Sequence, residues 1–421
     1  VDEKGHNVEV ASIAYFDFDG MVDVRVISNK ERVNSARVRP LSYKITPDCV
    51  GDTVTFSLSH PRNLSVEVNG DIFHNLHLFA NPIDKFRPSD KEIKRALKKK
   101  KGSNLIYFGP GVHNLPNDTL FVPSGTTVYI DGGARVYGNI FTEGAHDVNI
   151  FGRGEVHPDG RGAGVWVRRS KNVRIDGIVV SQLPIGQCDS VELTNVKSIS
   201  YYGWGDGMDV FSSSNVILDG VFCRNSDDCT AVYASTQGFK GGSNNVLVKN
   251  ATLWADVAHP INIGGHGDPN GMDTVQNVTF RNIDILDQAE KQIDYQGCLA
   301  INPGDNTLVR NITFENIRIE DFRNGQLVNF RISFNPKYCV STGRGIHNVL
   351  VKDVTYNGSG ENLSIIAGYD ENHKISGIRF VNLVVNGRKI TDDMPGKPKW
   401  YKTGDMAGIF IGEHVENISF E

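Results

Sequence analysis

One template recurs along most of this chain. It is a turn residue, a short β-branched strand, a polar break and a second short strand. The copies are NVRIDGIVV from Asn172, SVELTNVKSI from Ser190, NVILDGVFC from Asn215, NVLVKNATL from Asn245, NVTFRNIDI from Asn277, NITFENIRI from Asn311, NVLVKDVTY from Asn348 and GIRFVNLVV from Gly377. Their starts lie 18 to 37 residues apart, so the period is elastic. A unit this short cannot bury its own apolar face, and only stacking on neighbours supplies a core. Helical repeats are excluded because no 3.6-residue periodicity runs through the units. A propeller needs a constant blade of about 40 residues. The reading left is an all-β solenoid, a right-handed parallel β-helix, with unequal loops on one side. Asn172, Asn215, Asn245, Asn277, Asn311 and Asn348 head their units. Asn tolerates the left-handed turn required there, which accounts for the sequons at Asn277 and Asn311 without sugar.

The rest of the chain has a different texture. Residues 8–82 read as short alternating strands (VEVASIAYF, VDVRVIS, YKIT, TVTFSLS, LSVEV, LHLFA), which suggests a small antiparallel sandwich. SDKEIKRALKKKKG (89–102) reads as a helix, N-capped by Ser89 with Glu92 closing a capping box. The expected organisation is a sandwich over 1–88, a helical linker or cap over 89–103 and a β-helix over 104–421. The basic run Lys98–Lys101 is expected to be a solvated helix end. A net charge of −5 speaks against a nucleic-acid partner, and no apolar run is long enough to span a membrane. The six scattered cysteines match no metal spacing. They are expected to be buried small hydrophobes, with Cys223–Cys229 the alternative as a disulfide. The chain opens VDEKGH without a signal peptide, so it reads as cytoplasmic or as the processed form of an exported protein. A capped solenoid of this kind is expected to be a monomer.

Three carboxylates stand out: Asp206 in GWGDGMDV, and Asp227 and Asp228 in RNSDDCTAV, 21 and 22 residues on. That is close to one coil, and coils stack about 4.8 Å apart. The trio is therefore expected on one face, where mutual repulsion raises at least one pKa. An acid and a base from the same residue type is what glycosidic cleavage needs. Adjacent strand residues point to opposite faces, so Asp227 and Asp228 must occupy a bend between strands. His259 and His266 arrive one coil later in AHPINIGGHGD.

The stretch GDGMDVFSSSNVILDGVFCRNSDDCTAV resembles the heart of glycoside hydrolase family 28, the polygalacturonases, with its pattern Asn-Thr-Asp-Gly-Ile-Asp then Gly-Asp-Asp-Cys. The likeness covers roughly residues 104 to 420. It implies Asp227 as general acid, Asp206 and Asp228 as the pair that activates water, and His259 as support for the acid, with His266 second in rank. It also implies inversion at the anomeric carbon, whereas a spacing near 5 Å by itself suggests retention. No metal or organic cofactor is required by such a pair. The departures are Trp204-Gly205 for Asn-Thr and Ser226 for Gly. The family's Arg-Ile-Lys, which grips a uronate carboxylate, is replaced by Ala300, Ile301 and Asn302. Arg331, one coil further, is the candidate substitute. The front sandwich resembles the plan of glycoside hydrolase family 49, the dextranases and isopullulanases. Trp204, Tyr201, Tyr202, Tyr233 and Trp254 are candidates to stack on sugar rings.

The expected activity is hydrolysis of a polysaccharide by a secreted or periplasmic enzyme. Alternatives are a dextranase-like hydrolase of a neutral α-glucan, a uronate lyase or epimerase using the acidic trio as Ca²⁺ ligands, and a non-catalytic carbohydrate-binding β-helix.

Overall fold

The computed structural model describes residues 11–98, 102–158, 160–359 and 361–421. The chain divides into two compact units, Val1–Arg87 and Pro88–Glu421. Residues 8–10 of the first expected strand and 99–101 of the basic run lie outside the described residues.

In the first unit one sheet runs in the order Ser12–Phe18, Leu76–Pro82, Arg62–Val68, Ala36–Arg39, and a second joins Val22–Ile27, Thr53–Leu58 and Asp48–Val50. Phe18, Val24, Val54, Phe56, Leu64, Val66 and Leu78 close the core between them. Two expectations are corrected. Ser12–Phe18 pairs with Leu76–Pro82 in parallel, because the opening strand joins the edge beside the closing one. YKIT is no strand: a 3-10 turn at Leu41–Tyr43 ends on Lys44 at φ 52, a left-handed residue that breaks the extended run.

The second unit begins with the helix Asp90–Leu97, capped by Ser89 and Glu92 in the reciprocal box the sequence encodes. From Leu105 onward the chain forms a parallel β-helix of three ladders. One ladder contains Ser214–Asp219 and Ser243–Lys249, the second Phe222–Asn225 and Thr252–Ala255, and the third Thr230–Tyr233, Ile261–Ile263, Leu299–Ile301 and Val328–Arg331. Alternate residues of each strand point inward and stack on their counterparts one coil away. Phe280 and Phe314 form one such stack at a ring separation of 5.8 Å, and Phe330 meets Phe314 across the core from the third ladder at 6.0 Å.

The unit-heading asparagines sit where the template requires. Asn215, Asn245, Asn277 and Asn311 all have φ 56. Their amides run a ladder along the stack: Asn245 donates to Asn215, Asn311 to Asn277 and Asn348 to Asn311. A second file follows the polar break, with Asn282 donating to Asn250 and Asn316 to Asn282. All six cysteines are free, and Cys223 and Cys229 are fully buried, so the disulfide alternative does not hold. Among the described residues no helix is long and apolar enough to cross a membrane.

Candidate active site

Four successive coils turn the same corner, between the second and third ladders, and each delivers acidic or aromatic groups to it. Asp206 lies in the loop between Lys197–Ile199 and Val210–Phe211. Asp227 and Asp228 occupy the bend between Phe222–Asn225 and Thr230–Tyr233. His259 precedes Ile261–Ile263, and Tyr295 precedes Leu299–Ile301. Because coils are in register, residues at one corner stack, and oxygens of Asp206, Asp227 and Asp228 come within 4.8 Å of one another.

Local sequence fixes this geometry. Asn225 donates its amide to Ser198 and Ser200 and to the Asp206 carbonyl, tying the Asp206 loop to the coil that follows. Ser226, where the resemblance leads one to expect Gly, binds the Tyr202 carbonyl at 2.6 Å and so pins the start of that loop. Gly207 is obligatory: a Cβ there would stand 2.2 Å from the Cys229 carbonyl.

The neighbouring carboxylates have opposite electrostatics. Asp228 is 3% exposed, and burial alone would raise its pKa. It is instead held below the ordinary value by the donors around it. Oδ1 receives the His259 N–H at 3.1 Å and its Nδ1 at 2.7 Å; Oδ2 receives the Tyr233 hydroxyl at 2.7 Å and the Asn262 amide at 2.9 Å. Asp227 accepts the Asp228 backbone N–H at 3.0 Å and, among the described residues, no side-chain donor. Burial, then Asp206 and Asp228, push its pKa well up. Asp206 is raised by burial and by Asp209 and Asp228.

Several expected residues stand differently from their sequence reading. His259 pairs with Asp228 rather than with Asp227, because the backbone ladder that joins Cys229 N–H to the His259 carbonyl stacks it on that residue. Trp254 is fully buried under Arg224, 4.0 Å from the guanidinium carbon, and takes no part in the cleft. Tyr202 is enclosed, its hydroxyl donating to the Gly162 carbonyl at 2.6 Å. Tyr233 lines the pocket but serves as a donor to Asp228. Trp204 and Tyr201 are exposed beside Asp206 and remain available to a sugar ring. Asn302 lines the same pocket as Tyr233, and its amide reaches the Arg331 carbonyl at 3.4 Å; Arg331 is half-buried one coil away. His266 meets Tyr233 edge-on at 5.0 Å and does not join the aspartates.

Three groups at this corner escaped the sequence reading. Asp209 is 3% exposed, helps to raise the Asp206 pKa, and has its own pKa raised by burial and by Asp228 and Asp227. Its signal was present as the second acid of GDGMD. Asn262 was legible only as an outward position on its strand. Tyr295 packs on His259 at 4.3 Å, and its phenol is raised by burial and by all three acids. Nothing in its loop marked it.

Fold and site together define a parallel β-helix with an acidic corner built from stacked bends. The chain belongs to glycosyl hydrolases family 28, whose model matches residues 165–395. It is 27% identical over 219 residues to a polygalacturonase of Juniperus ashei, covering 49% of this chain and 39% of that protein. It is 24% identical over 295 residues to a probable endopolygalacturonase D of Neosartorya fischeri, covering 60% of this chain and 57% of that one. The chain thus spans about half the length of these curated relatives. Among solved structures, the family 28 exopolygalacturonase of Yersinia enterocolitica superposes with TM-score 0.56 at 11% identity, over 95% of this chain and 97% of that one. Dex49A from Penicillium minioluteum superposes with TM-score 0.57 at 14% identity, over 97% and 83%. At these identities the superpositions establish a shared fold.

Proposed function

We propose that the chain hydrolyses O-glycosidic bonds of a polysaccharide, with Asp227 as general acid and Asp206 with Asp228 holding and activating the water. The carrying observation is the opposed behaviour of two adjacent carboxyls. Burial and the neighbouring acids push the Asp227 pKa well above the ordinary carboxylate value, whereas the donors around Asp228 hold its pKa below that value.

Asp227 gives its proton to the glycosidic oxygen as the C1–O bond breaks. The charge on Asp228 faces the positive charge that develops on the sugar. Both Asp228 oxygens already accept two hydrogen bonds, so the proton leaving the water passes to Asp206. Burial, Asp209 and Asp228 raise the Asp206 pKa, which suits Asp206 to take that proton. His259, Tyr233 and Asn262 act by fixing Asp228. Exposed Trp204 supplies a stacking face at the mouth. The family reading carries inversion, checked by ¹H NMR of the first anomer released.

Asp227→Asn and Asp228→Asn should each lower turnover by roughly 10²–10⁴-fold while thermal unfolding stays cooperative. Near-normal turnover in both overturns the proposal. The trio's mutual approach also matches a cation-assisted uronate lyase. That reading predicts unsaturated product and inhibition by chelator, and saturated product from chelated protein sets it aside. Ala300 and Asn302 leave Arg331 as the cation on that wall, so a strongly anionic chain is the less favoured substrate. Reducing ends released from polygalacturonate, rhamnogalacturonan, dextran and pullulan rank the choices. The same reading places the protein outside the cytoplasm, where cell fractionation tests it.

A further inference from the structure

A second group of ligand-type side chains gathers at the next corner of the same coils. His266, Asp305 and Cys339 follow the strands Ile261–Ile263, Leu299–Ile301 and Val328–Arg331, one from each of three successive coils. An imidazole nitrogen, a carboxylate oxygen and the thiol sulfur lie within 4.8 Å of one another.

The backbone is shaped to hold them. Asp305 and Asn306 both take left-handed conformations, at φ 48 and 59. Oδ1 of Asp305 receives the amides of Val340 at 2.7 Å and Ser341 at 3.3 Å, which leaves Oδ2 for another partner. Cys339 Sγ lies over Gly304, where a Cβ would stand 2.2 Å from it, and its thiol donates to the Gly265 carbonyl at 3.2 Å. The His266 ring makes only its edge contact with Tyr233. Neither ring nitrogen has a hydrogen-bond partner among the described residues.

We propose that His266, Asp305 and Cys339 form a transition-metal site whose donor set best fits Zn²⁺. One nitrogen, one sulfur and one oxygen suit a borderline-soft ion and exclude Ca²⁺ and Mg²⁺, which take oxygen alone. Ligand atoms around tetrahedral zinc stand roughly 3.3–3.8 Å apart, so the three close on an ion by side-chain rotation. A bound metal displaces the Cys339 thiol proton.

Three protein ligands leave one position open. His266 and Cys339 both line the pocket that Tyr233, Asn262, Tyr295 and Asn302 share, so a ligand in that pocket would have access to the position. The ion therefore fastens the 332–344 loop to the coils beneath it. On the hydrolase reading above, it also places positive charge on the wall where Ala300 and Asn302 offer none. Binding is measured without sugar, so failure of either reading is seen separately.

The test uses the full chain, stripped with chelator, dialysed and titrated with Co²⁺ and Zn²⁺. Expected are one Co²⁺ per chain, a thiolate-to-cobalt charge-transfer band, tetrahedral visible bands, and release of about one proton. Cys339→Ser should abolish the charge-transfer band, and His266→Ala should weaken binding by at least about 100-fold. Asp305→Asn keeps the acceptor for Val340 and Ser341, so weak binding by that folded variant separates ligation from loop structure. Absence of stoichiometric binding, or a band that persists in Cys339→Ser, overturns the site.

Discussion

At the scale of the residue, the corner's chemistry depends on how many donors each carboxylate receives. Asp228 receives four and Asp227 the single Asp228 backbone N–H, so one bend carries a carboxyl with a lowered pKa beside one with a raised pKa. Asp209 is a positioning residue behind Asp206. Its pKa is raised on folding, so the stability it allows is fully present below the ordinary carboxylate pKa. That stability is lost as pH rises toward the folded value. Each pH unit in that window costs about 1.4 kcal/mol. Asp209→Asn keeps an acceptor for the Ala231 N–H, which binds Oδ1 at 3.1 Å, and removes the titration. Its thermal midpoint should exceed that of the parent by a few degrees at pH 8 and converge with it near pH 4. Its acidic limb of kcat/KM should move to lower pH, because Asp206 loses a negative neighbour. Equal midpoints at both pH values would remove Asp209 from the charge balance.

At the scale of the element, the turns were legible in sequence and the loops were not. Asn heading each unit marks a left-handed position, and the structure places Asn311 there at φ 56, bonded to Asn277 below and by Asn348 above. A β-carbon without a compensating side chain costs about 1–2 kcal/mol in that conformation, and each lost ladder bond about 1 kcal/mol. Asn311→Ala should therefore lower stability by about 3–4 kcal/mol. Asn311→Gly should lower it less, since glycine removes the conformational part. Denaturant midpoints of the two variants decide this, and equal losses would mean the ladder bonds alone matter. The bend at Asp227 and Asp228 was equally readable, since no regular strand turns both side chains to one cleft. What stayed hidden depends on loop length. His259 lies 31 residues after Asp228 and Tyr295 a further 36 on. Only the stacking of coils, with variable loops taken out, shows that both share one corner. The partnership of His259 with Asp228 rather than Asp227 was hidden for the same reason, because it is set by a single inter-coil backbone hydrogen bond.

At the scale of the whole molecule, a solenoid's problem is its ends, where an exposed strand edge invites association. The helix Asp90–Leu97 belongs to the second unit and packs on Leu105–Phe108, the opening strand of the stack. We propose that it serves as a cap rather than as a spacer. The second unit has its own continuous core and the complete aspartate corner, and the first has a separate core. A chain beginning at Pro88 should therefore unfold cooperatively and keep kcat on a short oligosaccharide within about threefold. A chain beginning at Asn104, which loses the cap, should associate, as light scattering would register. If the first unit grips polymer, removing it should raise KM on long chains and leave kcat unchanged. A tenfold fall in kcat on the oligosaccharide would instead mean that the corner at Asp227 needs the first unit to hold its shape.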